Sequence, residues 1–210
     1  MGHRFAEIAF TSAVRAQQEA HGSRPSYARF EQGAPRNDRL GPEETAFLAA
    51  RDGFYLASVG ETGWPYVQFR GGPPGFLRVL DEQTISWADF RGNRQYVSVG
   101  NLAGDDRVAL ILVDYAARRR LKILGHAQVL EVGADDGLAA RLAVPGYDAR
   151  VERAVRVRIA AFDWNCPQHI TPRFTIEEVE RAATPLRERI AQLQAQLADC
   201  ETRSVASPER

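Results

Sequence analysis

Residues Thr84-Ile-Ser-Trp-Ala-Asp-Phe-Arg-Gly-Asn-Arg-Gln-Tyr-Val-Ser-Val-Gly-Asn-Leu102 hold the local signals around which the rest of the chain can be read. A short apolar run breaks at Gly92, a polar Asn93-Arg94-Gln95 cluster follows, and helix-like spacing begins. The pattern predicts a strand, a tight turn and the start of a helix. Backbone N–H groups at such a turn are unpaired and the helix dipole is positive there, so with Arg94 alongside the place suits an anion such as phosphate. The plain alternative is a surface turn carrying a solvated arginine.

Reading outward, strand signals dominate on both sides. Phe54 to Val59 and Trp64 to Phe69 flank Gly60-Glu61-Thr62-Gly63 and predict a β-hairpin, after which Gly71-Gly-Pro-Pro-Gly75 interrupts any regular element. Phe76 to Leu80 and Thr84 to Trp87 form a second pair around Asp81-Glu82-Gln83. Downstream, Val108 to Val113 is suited to a buried strand, and Leu121 to Leu124 with Ala127 to Val132 give two more strands with a bulge or bend at Gly125. Asp135 to Leu142 reads as a short helix, and Val155 to Ala161 alternates as a strand with one wet face. The pattern predicts a mainly β fold: six or seven strands in a small closed or split antiparallel barrel with flanking N- and C-terminal helices. A doubly wound α/β sheet fits poorly, because most strand connections are too short for crossover helices.

The termini read as helical. One helix is expected from Arg4 to about His21, a loop from Ser23 to Leu40, and a second helix opened by Pro42 with Glu43 and Glu44 in its first turn, running to about Arg51. Phe162 to Phe174 shows no periodicity. Thr175-Ile-Glu-Glu178 is a capping box, and beyond it Val179, Leu186 and Leu193 occupy one heptad position while Ala183, Ile190 and Leu197 occupy the other. Pro185 should kink or restart that helix, with Thr184 as a cap, and Ser204 to Arg210 reads as a frayed tail. Three parts result: an N-terminal helical and loop arm over 1–52, a barrel over 53–174, and a C-terminal helix and tail over 175–210.

Composition narrows the function classes. The 210-residue chain carries 27 basic and 27 acidic residues, which argues against a nucleic-acid or anionic-membrane binder. Lys122 is the only lysine, so any anion will be held by guanidinium forks. No run approaches the ~18 apolar residues of a membrane span, and the N-terminus lacks the apolar core of a signal peptide; a cytoplasmic location is expected. Cys166 and Cys200 are far apart, and His3, His21, His126 and His169 are dispersed, so no metal site is expected.

The order of several motifs resembles the flavin-binding split barrels related to pyridoxamine 5'-phosphate oxidase. They are Pro65-Tyr-Val-Gln-Phe-Arg-Gly-Gly72, Gly75-Phe-Leu-Arg-Val-Leu-Asp81, Trp87-Ala-Asp-Phe-Arg-Gly-Asn-Arg-Gln95, Asp106-Arg-Val-Ala-Leu110 and Arg119-Arg-Leu-Lys-Ile-Leu-Gly-His-Ala127. With Trp164-Asn-Cys-Pro-Gln-His-Ile170, the likeness is nearest to a branch described only as predicted flavin-nucleotide-binding proteins. The resemblance implies a homodimer binding flavin mononucleotide (FMN) in a groove at the subunit interface, with a small-molecule substrate. It implies cofactor contacts from Arg78, Ala88, Asp89, Asn93, Arg94, Gln95, Arg120, Trp164 and Arg173. Gln95 replaces the family's usual lysine, and Asp89 places a carboxylate near the expected phosphate, where it would orient Arg94 or face the flavin ring edge. Arg120 could stabilise negative charge on a reduced flavin.

Plain alternatives accompany these assignments. Arg78 could be the wet-face residue of its strand, Arg118-Arg119-Arg120 an exposed corner, and Trp164 a core aromatic. Cys166, Gln168 and His169 are candidates for lining a substrate pocket; Cys166 with His169 lacks the third orienting group that thiol catalysis uses. The substrate-binding groups of the vitamin B6 oxidase are not matched over Trp164 to Phe174. The expected function is therefore that of an FMN-dependent oxidoreductase related to that oxidase without being it. The alternatives are a carrier or sensor holding flavin, or haem through His126 or His169, and a dimerisation module resting on the C-terminal heptads.

Overall fold

A computed structural model of the chain describes residues 3–33, 36–131 and 136–205. Where one N-terminal helix was expected there are two, α1 (Arg4–Ala9) and α2 (Ser12–Ala20). Thr11 breaks the run: its Oγ1 accepts from the Val14 N–H at 3.3 Å, an N-cap that starts α2 afresh. The expected loop over Ser23–Leu40 contains a further helix, α3 (Arg24–Gly33). Pro25 stands at the beginning of α3, where a proline costs no hydrogen bond, and Arg24 grips Glu31 with two bonds of 2.9 and 2.8 Å. Helix α4 (Pro42–Ala49) begins as expected, with the Glu44 carboxylate accepting from the Gly41 N–H at 2.9 Å.

The strands form one antiparallel sheet. β1 (Gly53–Val59) and β2 (Pro65–Gly71) make the expected hairpin, in register from Val59↔Pro65 to Gly53↔Gly71. Gly63 closes the turn at φ 80°, a conformation that glycine adopts without steric strain. β3 (Arg78–Asp81) and β4 (Thr84–Phe90) make the second pair, and α5 (Val97–Gly104) follows the turn after β4. β5 (Arg107–Asp114) leads to β6 (Arg119–Glu131), a single strand of 13 residues in place of the two expected. Its ladder to the neighbouring strand shifts register between Leu124 and Gly125, an irregularity anticipated at that glycine, with Ala160 of the partner strand as the extra residue. After α6 (Asp136–Leu142), β7 (Val151–Asn165) runs for 15 residues, so Phe162–Asn165, read as aperiodic, belongs to a strand. Val132 and Asp135, expected in flanking elements, lie outside the described residues.

The strand order is β2-β1-β5-β6-β7-β4-β3. Inward positions alternate along each strand: Phe54 and Leu56, Val108, Leu110 and Leu112, Leu121 and Ile123, Val155, Val157 and Ile159, and Ile85 and Trp87 make one core. Trp87 meets Phe54 edge-on at 5.0 Å, and Phe76 lies 5.9 Å from Phe54 on its other side. The opposite face of β4 packs under α6, where Ala88, Leu138 and Leu142 form a small second cluster. This is the split barrel with flanking helices.

The chain divides into two compact units, Met1–Asp114 with Arg118–His169, and Tyr115–Ala117 with Ile170–Arg210. The N-terminal arm therefore belongs to the same unit as the barrel. In the second unit Thr175 and Glu178 form the reciprocal capping box, with bonds of 2.8 and 3.2 Å, and α7 (Ile176–Val205) runs for 30 residues. Pro185 lies inside α7 without restarting it, and Thr184 donates its hydroxyl to the Glu180 carbonyl at 2.9 Å instead of capping. The expected tail lies, from residue 206 on, outside the described residues. Among the described residues no helix is long and apolar enough to cross a membrane.

Candidate functional site

At one mouth of the barrel three charged side chains take the place of the apolar inward residues. Asp89 continues the inward row of Ile85 and Trp87 on β4, Arg153 begins the row of Val155 and Val157 on β7, and Arg70 ends the inward row on β2. Asp89 is only 4% exposed and accepts from Arg70 Nη1 at 2.8 Å and Arg153 Nε at 3.1 Å. β2 and β4 are not neighbours in the sheet, so the Arg70–Asp89 pair ties together two parts of the barrel that no ladder joins. A carboxylate so far from water is tolerated because both of its oxygens are paired.

The turn after β4 lies against this cluster. Glu152 accepts from Arg153 Nη2 at 2.9 Å and from the Tyr96 hydroxyl at 3.3 Å, and Arg91 Nε stands 3.6 Å from it. The Arg153 guanidinium lies 4.7 Å from the centre of the Tyr96 ring, and Arg94 Nε donates to the Tyr96 oxygen at 3.1 Å. Burial works to lower the Arg153 pKa, but Asp89 and Glu152 outweigh it and the net shift is upward. Arg94 is also shifted upward, through its bond to Tyr96. Asn93 Oδ1 accepts from the Gln95 N–H at 3.2 Å, while Arg94 and Tyr96 sit at φ 62° and 56°, in the left-handed region. Three guanidinium groups, those of Arg70, Arg94 and Arg153, thus meet two carboxylates, those of Asp89 and Glu152, around a cleft of about 40 Å³ that Gln68 and Tyr96 also line. Arg70 Nε is buried there with no hydrogen-bond partner among the described residues.

The structure therefore brings Asp89, Asn93, Arg94 and Gln95 together, and it corrects one detail. Asp89 orients Arg70 and Arg153; Arg94 is held by Tyr96. Of the other expected contacts, Ala88 is buried beneath α6. Arg78, at the start of β3, reaches the Ala143 carbonyl at 3.5 Å and keeps a buried, unpartnered Nε.

Arg120 and Trp164 lie elsewhere. Arg120 pairs in register with Asn165, at the end of β7 opposite to Arg153, and both the Arg120 Nε and the Asn165 Oδ1 are buried without hydrogen-bond partners among the described residues. Trp164 donates Nε1 to Glu44 at 2.8 Å, meets the Phe47 ring edge-on at 4.8 Å and is covered by the Arg119 guanidinium at 4.3 Å. Eleven residue steps along β7 separate Trp164 from Arg153, about 35 Å of strand contour. Arg173, in the second unit, stacks on Tyr115 at 4.9 Å.

Cys166, Gln168 and His169 follow β7 in an exposed turn, His169 at φ 63°, and His126 is exposed and pairs with Asp106 at 2.9 Å. Arg70, Tyr96, Glu152 and Arg153 were missed as candidates. A signal for Arg153 is present: the alternation of Val155 to Ala161, extended back by two residues, sets an arginine on the apolar face, where it needs a buried acid.

Residues 40–164 match the family model for pyridoxamine 5'-phosphate oxidase. Among solved structures, the chain is similar to an FMN-binding protein from Syntrophomonas wolfei at 15% identity, covering 73% of this chain and 95% of that one, with a TM-score of 0.45. It is also similar to HupZ of Group A Streptococcus, at 14% identity, 64% and 100% coverage and a TM-score of 0.45. A third similar structure is a protein from Clostridium acetobutylicum related to general stress protein 26 of B. subtilis, of the pyridoxinephosphate oxidase family, at 15% identity, 65% and 94% coverage and a TM-score of 0.44. No curated protein matches.

Proposed function

The chain belongs to the pyridoxamine 5'-phosphate oxidase family, and from that premise we propose that it is an FMN-binding oxidoreductase, distinct from the oxidase itself, working as a homodimer in the cytoplasm. The observation that carries the reading is the Arg70–Asp89–Arg153 cluster beside the Arg94 turn. Its surplus positive charge, the buried Arg70 Nε with no hydrogen-bond partner among the described residues and the bond of Arg94 to a neutral hydroxyl fit a phosphate monoester better than a structural ion pair alone. Arg94, Arg70 and Arg153, with Asn93 and Gln95 shaping the turn, would hold the phosphate. FMN would supply the redox chemistry, passing a hydride or single electrons between substrates. The chain's own task is to place that group and to set the charge around it; Arg120 would lend positive charge to the ring end.

The separation along β7 supports a dimeric site. An FMN molecule is far shorter than the strand contour between Arg153 and Trp164, so one copy would offer the phosphate end and a second copy Arg120 and Trp164. A surface for that association is present on the outward face of β2, β1 and β5. There Phe69, Tyr55 and Ile111 align across the strands beside Val67, Ala57 and Ala109, with Val67 60% exposed. Residues of a small-molecule pocket, Cys166, Gln168 and His169, would stand near the ring end, next along the chain from Trp164.

The purified protein is expected to be yellow, with the visible spectrum of an oxidised flavin, and Arg94→Ala should weaken FMN binding by ~1.5–3 kcal/mol, one charge-assisted hydrogen bond. Mixing tests the shared site. Arg94→Ala and Arg120→Ala chains each bind weakly alone, whereas their hybrid dimer regains one intact site of two. A colourless protein that takes up no flavin on titration would refute the reading, and a Soret band on haem addition would favour a carrier instead.

A further inference from the structure

The longest helix has an apolar seam that nothing in its own unit explains. In α7, Ile176, Ala183, Ile190 and Leu197 recur every seven residues, and Val179, Leu186, Leu193 and Cys200 recur three residues after them. These are the a and d positions of a heptad repeat sustained over 25 residues. The large members of this seam are between 47% and 77% exposed. Pro185 falls at a c position, on the far side of the helix, where it leaves the seam intact.

We propose that α7 pairs with α7 of a second copy of this chain as a parallel two-stranded coiled coil. The occupant is argued from the residues themselves. A strict 3-4 alternation of apolar residues is the narrow seam that packs knobs into holes against another such helix, and isoleucine at a with leucine at d favours two parallel strands. Charge selects the same orientation. In the parallel pairing the flanking g and e' positions bring Ala182 to Arg187, Arg189 to Gln194 and Gln196 to Glu201, with no like charges opposed. An antiparallel pairing of full overlap has its two-fold axis between Leu186 and Ile190, which crowds the Arg187 and Arg189 side chains of both copies together. Arg187 already bonds Glu180 within its own helix, an arrangement that leaves the parallel seam free.

The parallel arrangement sets Cys200, an exposed thiol at a d position, opposite its own counterpart. Oxidative crosslinking of the full-length chain therefore reads the proposal directly, with Cys166 replaced by serine. An added copper–phenanthroline oxidant takes two electrons and two protons from the facing thiols, and most of the protein should become a dimer that a thiol reductant reverses. Leu193→Glu, at an exposed position of the single chain, should slow that crosslinking at least tenfold. Orientation is read by mixing Cys166→Ser chains with chains carrying Cys166→Ser, Cys200→Ser and Val179→Cys. The proposal requires crosslinks of like with like, 179 to 179 and 200 to 200. A dominant 179-to-200 crosslink, the absence of any Cys200-dependent dimer, or a crosslink indifferent to Leu193→Glu would overturn it. None of these outcomes depends on whether flavin binds.

Discussion

Replacing Asp89 by alanine should separate a structural role for the barrel-mouth cluster from a decorative one. The carboxylate accepts from Arg70 at 2.8 Å and from Arg153 at 3.1 Å, and the two guanidinium side chains are 17% and 13% exposed. Removing one member of a buried pair costs ~3–5 kcal/mol, because the remaining charge is left uncompensated. Here two charges are left, but each keeps some contact with water and Arg153 keeps Glu152, so a loss of ~2–4 kcal/mol is expected. For a chain of this size that corresponds to a fall in Tm of roughly 5–15 °C. Urea unfolding followed by circular dichroism at pH 7 measures it, and the effect should persist at high salt because the pair is screened little. Adding Arg153→Met to Asp89→Ala should recover part of the loss, since the stranded cation is then gone, and a double-mutant cycle should give a coupling of ~0.5–3 kcal/mol. An Asp89→Ala protein within ~0.5 kcal/mol of the parent would refute the view that this carboxylate holds β2 to the rest of the barrel.

Three further outcomes are expected. Gly125→Ala should destabilise by ~1–3 kcal/mol, because a Cβ there would stand 2.6 Å from the Arg158 carbonyl oxygen and 2.7 Å from Val157 Cγ1, with backbone as the obstacle; chemical denaturation reads it. Val67→Glu should leave the single chain folded but abolish association through the β2–β1–β5 face, and with it flavin retention; sedimentation equilibrium and the visible spectrum report both, the α7 pairing being removed by Leu193→Glu in the same background. His3 packs 4.1 Å from the Phe30 ring and 4.0 Å from Asp163, and burial lowers its pKa below 6.5 while Asp163 pulls the other way. A lowered value means the unfolded chain takes the proton more readily, so this contribution is full above pH 6.5 and is lost as pH falls through the depressed folded value. Asp163, raised by burial, acts in the opposite sense in its own lower range, so urea midpoints are best compared between pH 7.5 and pH 5.5. His3→Phe should flatten that difference; an unchanged slope would show that another group titrates.

What could be read from the sequence depended on how local the cause was. Strands whose alternation is set by a single core face were legible from Phe54 onward, as was the irregularity at Gly125, because each is decided within a few residues. The break at Thr11 and the helix over Arg24–Gly33 were not, since one hydroxyl and the Arg24–Glu31 grip decide them against the general composition of their segments. The merging of two expected strands into β6, and the extension of β7 to Asn165, depend on how the two ladder together, a pairing that no window of either strand contains.

The candidate site divides along the same line. Asn93, Arg94 and Gln95 are adjacent in the chain, so their turn announces itself, and Asp89 is only four residues upstream. Its true partners are not local: the ladder to β7 sets Arg153 opposite Asp89, and Arg70 arrives from β2, which no ladder joins to β4. Yet a charged residue on an inward strand position is itself a signal that a counter-charge must be found. Asp89 carries that signal in step with Ile85 and Trp87, and Arg153 carries it in step with Val155 and Val157. Two such misplaced charges of opposite sign are each other's natural partners, a match that the sequence alone contains. The ring-end residues are different in kind. The family resemblance groups Arg120 and Trp164 with the phosphate turn, but Trp164 and Asn165, the β7 residue paired with Arg120 of β6, stand at the end of β7 opposite to Arg153. On the proposed reading that distance is what makes the second copy part of each site, so a strand's length, legible only once its ladder is known, decides that a site is shared between two chains.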